Sequence, residues 1–442
     1  MMVAITQLRP KRLSLLIGSG GIAATAQTLF VNVFIIGINI ATGIITARTL
    51  GAAGRGAYSA MILWPQFLAL ILTCGLPSAL IYHSKRAPAE ARIFFSAVLW
   101  MGLALSFVAA LLGLVLIPRW MTQYPIEAVR FAQWTMALMP IAMLTEISIG
   151  AFRAREEFGL YNRLRVLTPV LTLIGFGDLL WLGAMTPLNA AIATLTACSL
   201  VGASFTLHHV RACRPVFAGL ASSARRLFSY GWRASGNDLL VNLSLQADAL
   251  LVVALLSPEA MGFYTVALSL SRSLNVFSTA VVNVLFPRTA GRSVAEVIAT
   301  TGRALRVTLI AVIAIAMALM LTAESLLRFV YGAEFVHALP VFRLLLIEAI
   351  LTCAFTILLQ PFLALERPGV VSLLQGIGLA LSLVLLLLLI PLFGLLGAGL
   401  ALLLAGACRL ILVWWSYSFF LQTKPPRLLF APGDFALARS PD

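Results

Sequence analysis

The sequence predicts an all-α polytopic membrane protein with about twelve transmembrane helices, arranged in two six-helix lobes that are related by a parallel internal repeat. Three observations predict this fold: the apolar composition, the number of apolar segments and a likeness between the two halves of the chain. Of the 442 residues, 61% are hydrophobic and 11% are charged, whereas soluble domains are about 45–50% apolar and about 25% charged. A chain of this composition needs lipid around it.

Twelve segments are apolar over the length of about 20 residues that a helix needs to cross the hydrocarbon core. Glycine, proline and arginine clusters separate them. The seventh segment has the weakest apolar signal because asparagine, glutamine and aspartate side chains interrupt it. The predicted spans are 14–46, 57–82, 92–117, 129–151, 165–184, 188–210, 230–256, 262–286, 304–330, 339–365, 369–391 and 394–421.

These spans divide the chain into five parts. We expect an N-terminal lobe over residues 14–210 and a C-terminal lobe over 230–421, joined by a basic linker over 211–229. A short N-terminal segment, 1–13, and a tail, 422–442, flank the lobes.

The net charge of +15 reflects membrane topology. Nucleic-acid binding would require a contiguous basic patch, but the basic residues here fall in short clusters between apolar runs. With the N-terminus in the cytoplasm, the cytoplasmic segments hold 23 Lys and Arg residues and the outside segments hold 6. This positive-inside bias places both termini in the cytoplasm. We expect a multi-pass protein of the bacterial cytoplasmic membrane that binds no nucleic acid.

The two halves of the chain resemble each other at a shift of 206 positions. The shift places Gly56 on Gly262 and Tyr58 on Tyr264, and it places the first six spans on the last six. Each half has an even number of spans, so both begin on the same side of the membrane. The lobes should then be related by an axis along the membrane normal, as in transporters with parallel repeats.

Three short motifs carry a resemblance to a known family. The stretch ARTLGAAGRGAY at 47–58 resembles the signature of bacterial polysaccharide flippases, as do LSPEAMGFY at 256–264 and LFPR at 285–288. These flippases are the O-antigen and exopolysaccharide transporters (Wzx-like) of the multidrug/oligosaccharidyl-lipid/polysaccharide exporter superfamily. The resemblance covers the whole chain as twelve spans in two lobes.

The resemblance implies a function for the chain. The expected activity is movement of a polyprenyl-pyrophosphate-linked oligosaccharide from the cytoplasmic to the outer leaflet by alternating access, for surface polysaccharide synthesis. The partners are then the lipid-linked oligosaccharide and the bilayer, with a glycan polymerase and chain-length proteins as further candidates.

Polar residues inside the spans are the candidates for function, because ionisable groups in lipid are costly. Span seven carries Asp238, Asn242 and Asp248, and the shift of 206 places Asn32 of span one opposite Asp238. Span eight carries Arg272 and Asn275. We interpret these stripes as the walls of a wet cleft. The alternative, above all for the hydroxyl and amide side chains, is hydrogen bonding that only holds helices together.

Four arginines are candidates for substrate contact. Arg272 leads because a guanidinium is a rigid fork of donors suited to phosphate oxygens; the alternative is an ion pair with Asp238 or Asp248. Arg48 and Arg55 lie at the outer mouth of span one. Each could contact the leaving headgroup, and a structural role at the end of the span is an equal alternative. Arg409 lies within the last span, where it can snorkel or pair with another helix.

The sequence shows no signature of catalysis, metal binding or a cofactor. It lacks a Walker motif, a nucleophile triad and a large outside loop, and its five cysteines show no metal-binding spacing. We therefore expect a transporter without a cofactor. Two alternatives stay open: a multidrug or metabolite antiporter of the same superfamily, and a membrane-embedded enzyme of glycan assembly.

Overall fold

The computed structural model describes residues 20–216, 219–234, 236–289 and 291–426. All regular secondary structure in the described residues is helical. Its helices are α1 (Gly20–Leu72), α2 (Leu76–Arg86), α3 (Ala91–Trp120), α4 (Ile126–Trp134), α5 (Met139–Ala154), α6 (Phe158–Trp181), α7 (Pro187–Cys213), α8 (Leu220–Ala234), α9 (Gly236–Leu255), α10 (Pro258–Arg272), α11 (Asn275–Thr289), α12 (Val294–Leu326), α13 (Leu339–Leu358), α14 (Gln360–Ala364), α15 (Pro368–Phe393) and α16 (Leu395–Phe420).

The number of membrane-crossing helices agrees with the sequence prediction of about twelve. Among the described residues, ten helical stretches are long and apolar enough to cross a membrane. The first of them, Phe30–Arg86, is 57 residues long and folds back on itself, so it supplies two spans. The shorter apolar helix Leu239–Leu255, within α9, supplies the remaining one.

The reversal of the first stretch occurs at Gly51. Its φ of 67° is non-helical and interrupts α1, and glycine adopts this backbone region without a steric penalty. The Arg55 guanidinium donates to Thr46 Oγ1 at 2.6 Å and to the Gly43 carbonyl. In a straight helix residues 43 and 55 would lie about 18 Å apart, beyond the reach of an arginine. The contact therefore shows that spans one and two run antiparallel.

The linker between the lobes contains a helix of its own. The amphipathic α8 covers Leu220–Ala234, and α9 begins at Gly236. The seventh span therefore begins later than the position 230 expected from hydropathy. Arg226 of α8 pairs with Glu90 at 2.8 Å, which holds this helix against the turn before α3.

Large apolar side chains cover the outside of the helix bundle. Trp181 is 87% exposed, Leu321 81% and Phe419 78%. Exposed apolar patches of this kind are rare on soluble monomers and fit a protein surrounded by lipid. The core instead lies between helices and includes Trp64, Tyr264 and Tyr331, each almost fully buried.

The two halves of the chain meet where span one ends and span eight begins. We call this the Gly51 end of the bundle; it contains Gly51, Pro258 and the segment 329–334. A Cβ built on Gly56 would lie 1.7 Å from the Pro258 carbonyl oxygen, and one built on Gly262 would lie 1.9 Å from the Ala52 carbonyl oxygen. Only glycine permits so close a backbone approach.

These two contacts are images of each other. Gly56 and Gly262 are 206 positions apart, and so are Ala52 and Pro258. The shift of 206 positions converts each contact into the other. An approximate twofold axis between the halves produces such a pair of contacts. The repeat seen in the sequence therefore corresponds to a real relation between the two backbones at the Gly51 end.

Side chains add to the closure of the Gly51 end. The Ala52 amide donates to Glu334 Oε1 at 3.1 Å. Arg48 donates to the Val330 carbonyl at 2.8 Å and to the Phe329 carbonyl. These bonds connect the reversal of α1 to the segment after α12, so the halves are locked together at this end.

Candidate functional site

The strongest polar cluster inside the membrane-crossing region centres on Asp248. The carboxylate is 1% exposed, and its Oδ2 accepts from Arg272 Nη2 at 2.7 Å and from Tyr264 Oη at 2.6 Å. Arg272 also donates through Nη1 to the Leu245 carbonyl at 2.8 Å. The ion pair that the sequence offered as the alternative for Arg272 is thus formed with Asp248, while the side chain of Asp238 lies outside those that the structure describes.

Span eight is interrupted immediately after Arg272, and this break puts the arginine at the end of a helix. Helix α10 ends at Arg272 and α11 begins at Asn275, so the span is interrupted between them. A guanidinium at a helix C-terminus is stabilised by the partial negative charge of the unpaired carbonyls. Arg272 keeps 31% of its side chain exposed, so it is accessible despite its bond to the buried carboxylate.

Arg272 lines a cavity of about 120 Å³, which we call the C-lobe cavity. Its walls come from α9, α10, α11, α13, α15 and α16, and its polar lining is rich in groups that the sequence places far apart. Its polar lining side chains are Ser244, Arg272, Asn275, Glu348, Thr352, Thr356, Gln375 and Arg409.

Arg409 is a second guanidinium in this cavity. It donates through Nη2 to Ser382 Oγ at 2.6 Å, whereas its buried Nε has no hydrogen-bond partner among the described residues. Gly378 provides the room, because a Cβ there would lie 2.7 Å from Arg409 Cδ. Buried donors are normally paired, so this Nε is a donor that only a movement of the side chain would present to a ligand.

Acceptors without partners lie beside these donors. Asp248 Oδ1 and Asn275 Oδ1 are buried and have no hydrogen-bond partner within the described part of the chain. Glu348 accepts from Thr352 at 2.5 Å. Two guanidiniums and the Glu348 carboxylate therefore line one small cavity, and the buried Asp248 carboxylate is connected to it through its 2.7 Å bond to Arg272.

A second, larger cavity of about 340 Å³ lies on the other side of α9 and is formed mainly by spans of the first half. We call it the N-lobe cavity. It contains the carboxylate Glu146, and none of the described residues that line it is an arginine or a lysine. Its polar lining side chains are Gln66, Thr145, Glu146, Thr168, Cys198, Ser199 and Gln246.

The other candidates from the sequence lie elsewhere. Arg55 is 7% exposed and bonds within the α1 hairpin and to Thr265 at 3.3 Å, while Arg48 lies at the Gly51 end. Asn32 is half-buried in α1, with its Oδ1 unpaired among the described residues. Asn242 is half-buried on α9. Arg272, Asn275 and Arg409 are the substrate candidates that one cavity brings together.

Sequence reasoning missed several members of these sites. Tyr264 was visible only as the repeat partner of Tyr58, and a tyrosine hydroxyl gives no signal of the carboxylate that it bonds. Ser382 and Gln375 sit in a run of leucines that identifies a span and no more. Glu146 and Glu348 stand out as acids within spans, but hydropathy does not reveal which way a helix is turned.

Comparison with known proteins places the chain in a family. Residues 45–340 match a family model described as polysaccharide biosynthesis protein. The chain is 22% identical over 410 residues to the probable low-salt glycan biosynthesis flippase Agl15 of Haloferax volcanii, an alignment that covers 91% of this chain and 85% of the relative.

Solved structures share its fold. The lipid II flippase MurJ in an inward closed conformation matches with a TM-score of 0.74 and 16% identity, over 91% of this chain and 88% of that one. An inward-facing multidrug resistance MATE family transporter of the MOP superfamily matches with a TM-score of 0.66 and 16% identity, over 87% and 95%. The chain thus belongs to the family of polysaccharide biosynthesis proteins and is a multi-pass membrane protein with the transporter fold of the MOP superfamily.

Proposed function

We propose that this chain is a flippase that moves a polyprenyl-pyrophosphate-linked oligosaccharide from the cytoplasmic to the outer leaflet of the bacterial inner membrane, for surface polysaccharide synthesis. The family match and the flippase named among its relatives support transport of a lipid-linked glycan. The observation that carries the proposal is the C-lobe cavity, where Arg272 and Arg409 line one cavity within the membrane-crossing region.

The pyrophosphate is the part of such a substrate that is hardest to move through lipid. An isolated charge in the bilayer is costly unless it is paired. Guanidiniums pair with phosphate oxygens through two parallel hydrogen bonds, and Arg409 Nε is a buried donor that no described residue satisfies. Arg272 and Arg409 would together replace the water that the pyrophosphate loses, with Asn275 beside them.

Release of Arg272 to the substrate does not strand Asp248 without a partner. Tyr264 donates to the same carboxylate oxygen at 2.6 Å and stays with it when the guanidinium turns towards a phosphate. Separation of a buried ion pair is costly, so the phosphate must satisfy Arg272 while Tyr264 keeps its bond to Asp248. Asp248, with Asn242 and Asp238 on the same helix, is our candidate site for ion coupling. An ion that binds there would be coupled to the movement of Arg272 between Asp248 and the substrate.

The arrangement of basic residues supports an orientation. With 23 Lys and Arg residues on one side and 6 on the other, the positive-inside rule places both termini in the cytoplasm. The Gly51 end then faces the outside and is closed. Substrate would enter from the cytoplasmic leaflet, and a rocking motion of the lobes at 14–210 and 230–421 about the linker at 211–229 would open the outer exit, freeing Arg48 to meet the leaving headgroup.

Deletion of the gene tests the proposal. Cells without the protein should accumulate lipid-linked oligosaccharide on the cytoplasmic leaflet and lose the surface glycan. A plasmid copy with Arg272→Ala should fail to restore the glycan. Arg328→Ala should restore it, because Arg328 is half-exposed and its ion pair within the described chain is with Glu324, one turn away. An unchanged surface glycan in the deletion strain would contradict the proposal.

A further inference from the structure

The two cavities occupy equivalent places in the two halves of the chain. Lining positions of the N-lobe cavity become lining positions of the C-lobe cavity under the same shift of 206 that relates the glycine contacts. The pairs are Gln66 and Arg272, Ala69 and Asn275, Ala142 and Glu348, Glu146 and Thr352, and Ile149 and Phe355.

Their chemistry is different. Where the C-lobe cavity has Arg272, the N-lobe cavity has the amide of Gln66. The N-lobe cavity also contains a carboxylate, Glu146, and the part of its lining that the structure describes has no basic side chain. At about 340 Å³ it is nearly three times larger than the C-lobe cavity of about 120 Å³. The two equivalent positions thus hold different sites: the smaller C-lobe cavity is lined by arginines, and the larger N-lobe cavity is lined by hydrogen-bond acceptors.

The contents of the N-lobe cavity suit a sugar. A carboxylate accepts hydrogen bonds only, while the amides of Gln66 and Gln246 both donate and accept. Neighbouring hydroxyl groups on a sugar ring provide the complementary donors and acceptors, and bonds to an ionised group are the strong ones. The volume lies within the range of about 300–1,000 Å³ that is typical of small-ligand pockets. A pyrophosphate, in contrast, would meet no basic side chain among the described residues of this lining.

Helix α9 is the wall between the two cavities. Gln246 lines the N-lobe cavity, and the preceding Ser244 and Leu245 line the C-lobe cavity. A ligand with a charged part and a sugar part could occupy both sides of this helix at once. The two compartments thereby match the two polar parts of a glycan that is joined to a lipid through pyrophosphate.

We propose that the N-lobe cavity is the glycan subsite, in which Glu146 accepts hydrogen bonds from hydroxyl groups of the sugar nearest the pyrophosphate. This inference rests on the proposed function. It divides recognition between the halves of the chain: the C-lobe cavity holds the pyrophosphate and the N-lobe cavity selects the glycan.

Binding measurements with two probes test the subsite. The probes are undecaprenyl pyrophosphate and the lipid-linked glycan extracted from the deletion strain, each titrated against purified protein in nanodiscs. The wild type should bind the glycan probe about tenfold or more tightly than the bare pyrophosphate. Glu146→Ala should lose this preference while binding undecaprenyl pyrophosphate as before, which also reports that the variant is folded.

Two further variants separate the glycan subsite from other roles. Asp178→Ala removes an exposed acid of α6 that does not line the cavity, and it should keep the full preference. Arg272→Ala should weaken both probes by the same factor and leave their ratio unchanged. Glu146→Gln, which keeps the shape of the side chain, should lose most of the preference.

Several results would overturn the inference. A wild type that binds both probes equally, or a Glu146→Ala variant that keeps the preference, would remove the glycan subsite and leave the flippase proposal intact. A variant that changes only the pH dependence of transport would make Glu146 a proton site instead. A deletion strain that accumulates no lipid-linked glycan would remove the proposed function and the inference with it.

Discussion

Substitution of Gly56 by alanine would place a methyl group where the Pro258 carbonyl already lies. The Cβ would be 1.7 Å from that oxygen, whereas ordinary contacts begin near 3.4 Å. The two backbones would have to separate by about 1.7 Å to accommodate it. Overpacking of this kind costs about 1–3 kcal/mol, and all of that cost falls on the state in which the Gly51 end is closed.

The expected result is a shift between conformations. A change of about 1–3 kcal/mol moves a two-state equilibrium by roughly 5- to 150-fold, so Gly56→Ala should populate a state with the Gly51 end open. Gly262→Ala should do the same, because its Cβ would lie 1.9 Å from the Ala52 carbonyl oxygen. Gly37→Ala is the matched control in the same helix, since a Cβ there would meet no described atom within 4 Å beyond the adjoining stretch of its own helix.

Electron–electron distance measurements between spin labels check this expectation. Labels at Thr49 and Arg328, in a cysteine-free background, report the separation across the Gly51 end. Wild type and Gly37→Ala should give a short distance between the two labels. Gly56→Ala should add a population of molecules in which that distance is longer. Identical distributions for Gly56→Ala and Gly37→Ala in monodisperse protein would refute the assignment of these glycines to the closed state.

Three further predictions concern the polar residues. Arg272→Ala should abolish transport. Arg272→Lys should restore only part of the transport activity, since lysine keeps the charge but loses the forked donors of the guanidinium. If Arg272→Ala combined with Asp248→Asn regained full activity, the arginine would only neutralise the aspartate. Tyr264→Phe should lower the free energy of unfolding by about 1–3 kcal/mol, visible as a lower melting temperature, and an unchanged melting temperature would argue against the buried bond. Arg55→Ala should destabilise the protein more than Arg48→Ala in the same assay, because only Arg55 is buried; equal losses would contradict its structural role.

The spans and the repeat could be predicted from the sequence because both depend on composition and spacing. Hydropathy identifies a membrane helix whatever its neighbours are, and the aligned Gly56 and Gly262 already indicated related turns. The sequence did not reveal that these glycines contact the opposite half, because a close backbone approach depends on the relative position of two helices that lie far apart in the chain.

The composition of the site was harder to predict for a physical reason. Asp238 and Asp248 lie about 15 Å apart along one helix, and either could have paired with Arg272 until the position of α10 was known. Glu348 and Arg409 come from two other helices, and their approach to Arg272 depends on how each helix is rotated about its axis. Polar residues within spans could be selected as candidates, but not sorted into one cavity or the other.

Flipping by the purified protein is the most direct test of the central claim. The lipid-linked glycan from the deletion strain, labelled with a fluorophore that dithionite quenches, is reconstituted into vesicles with an ion gradient imposed. Dithionite should quench half of the label in empty vesicles and in Arg272→Ala vesicles, and nearly all of it with the wild type or Arg328→Ala. Wild-type vesicles that quench no more than empty ones would contradict the account.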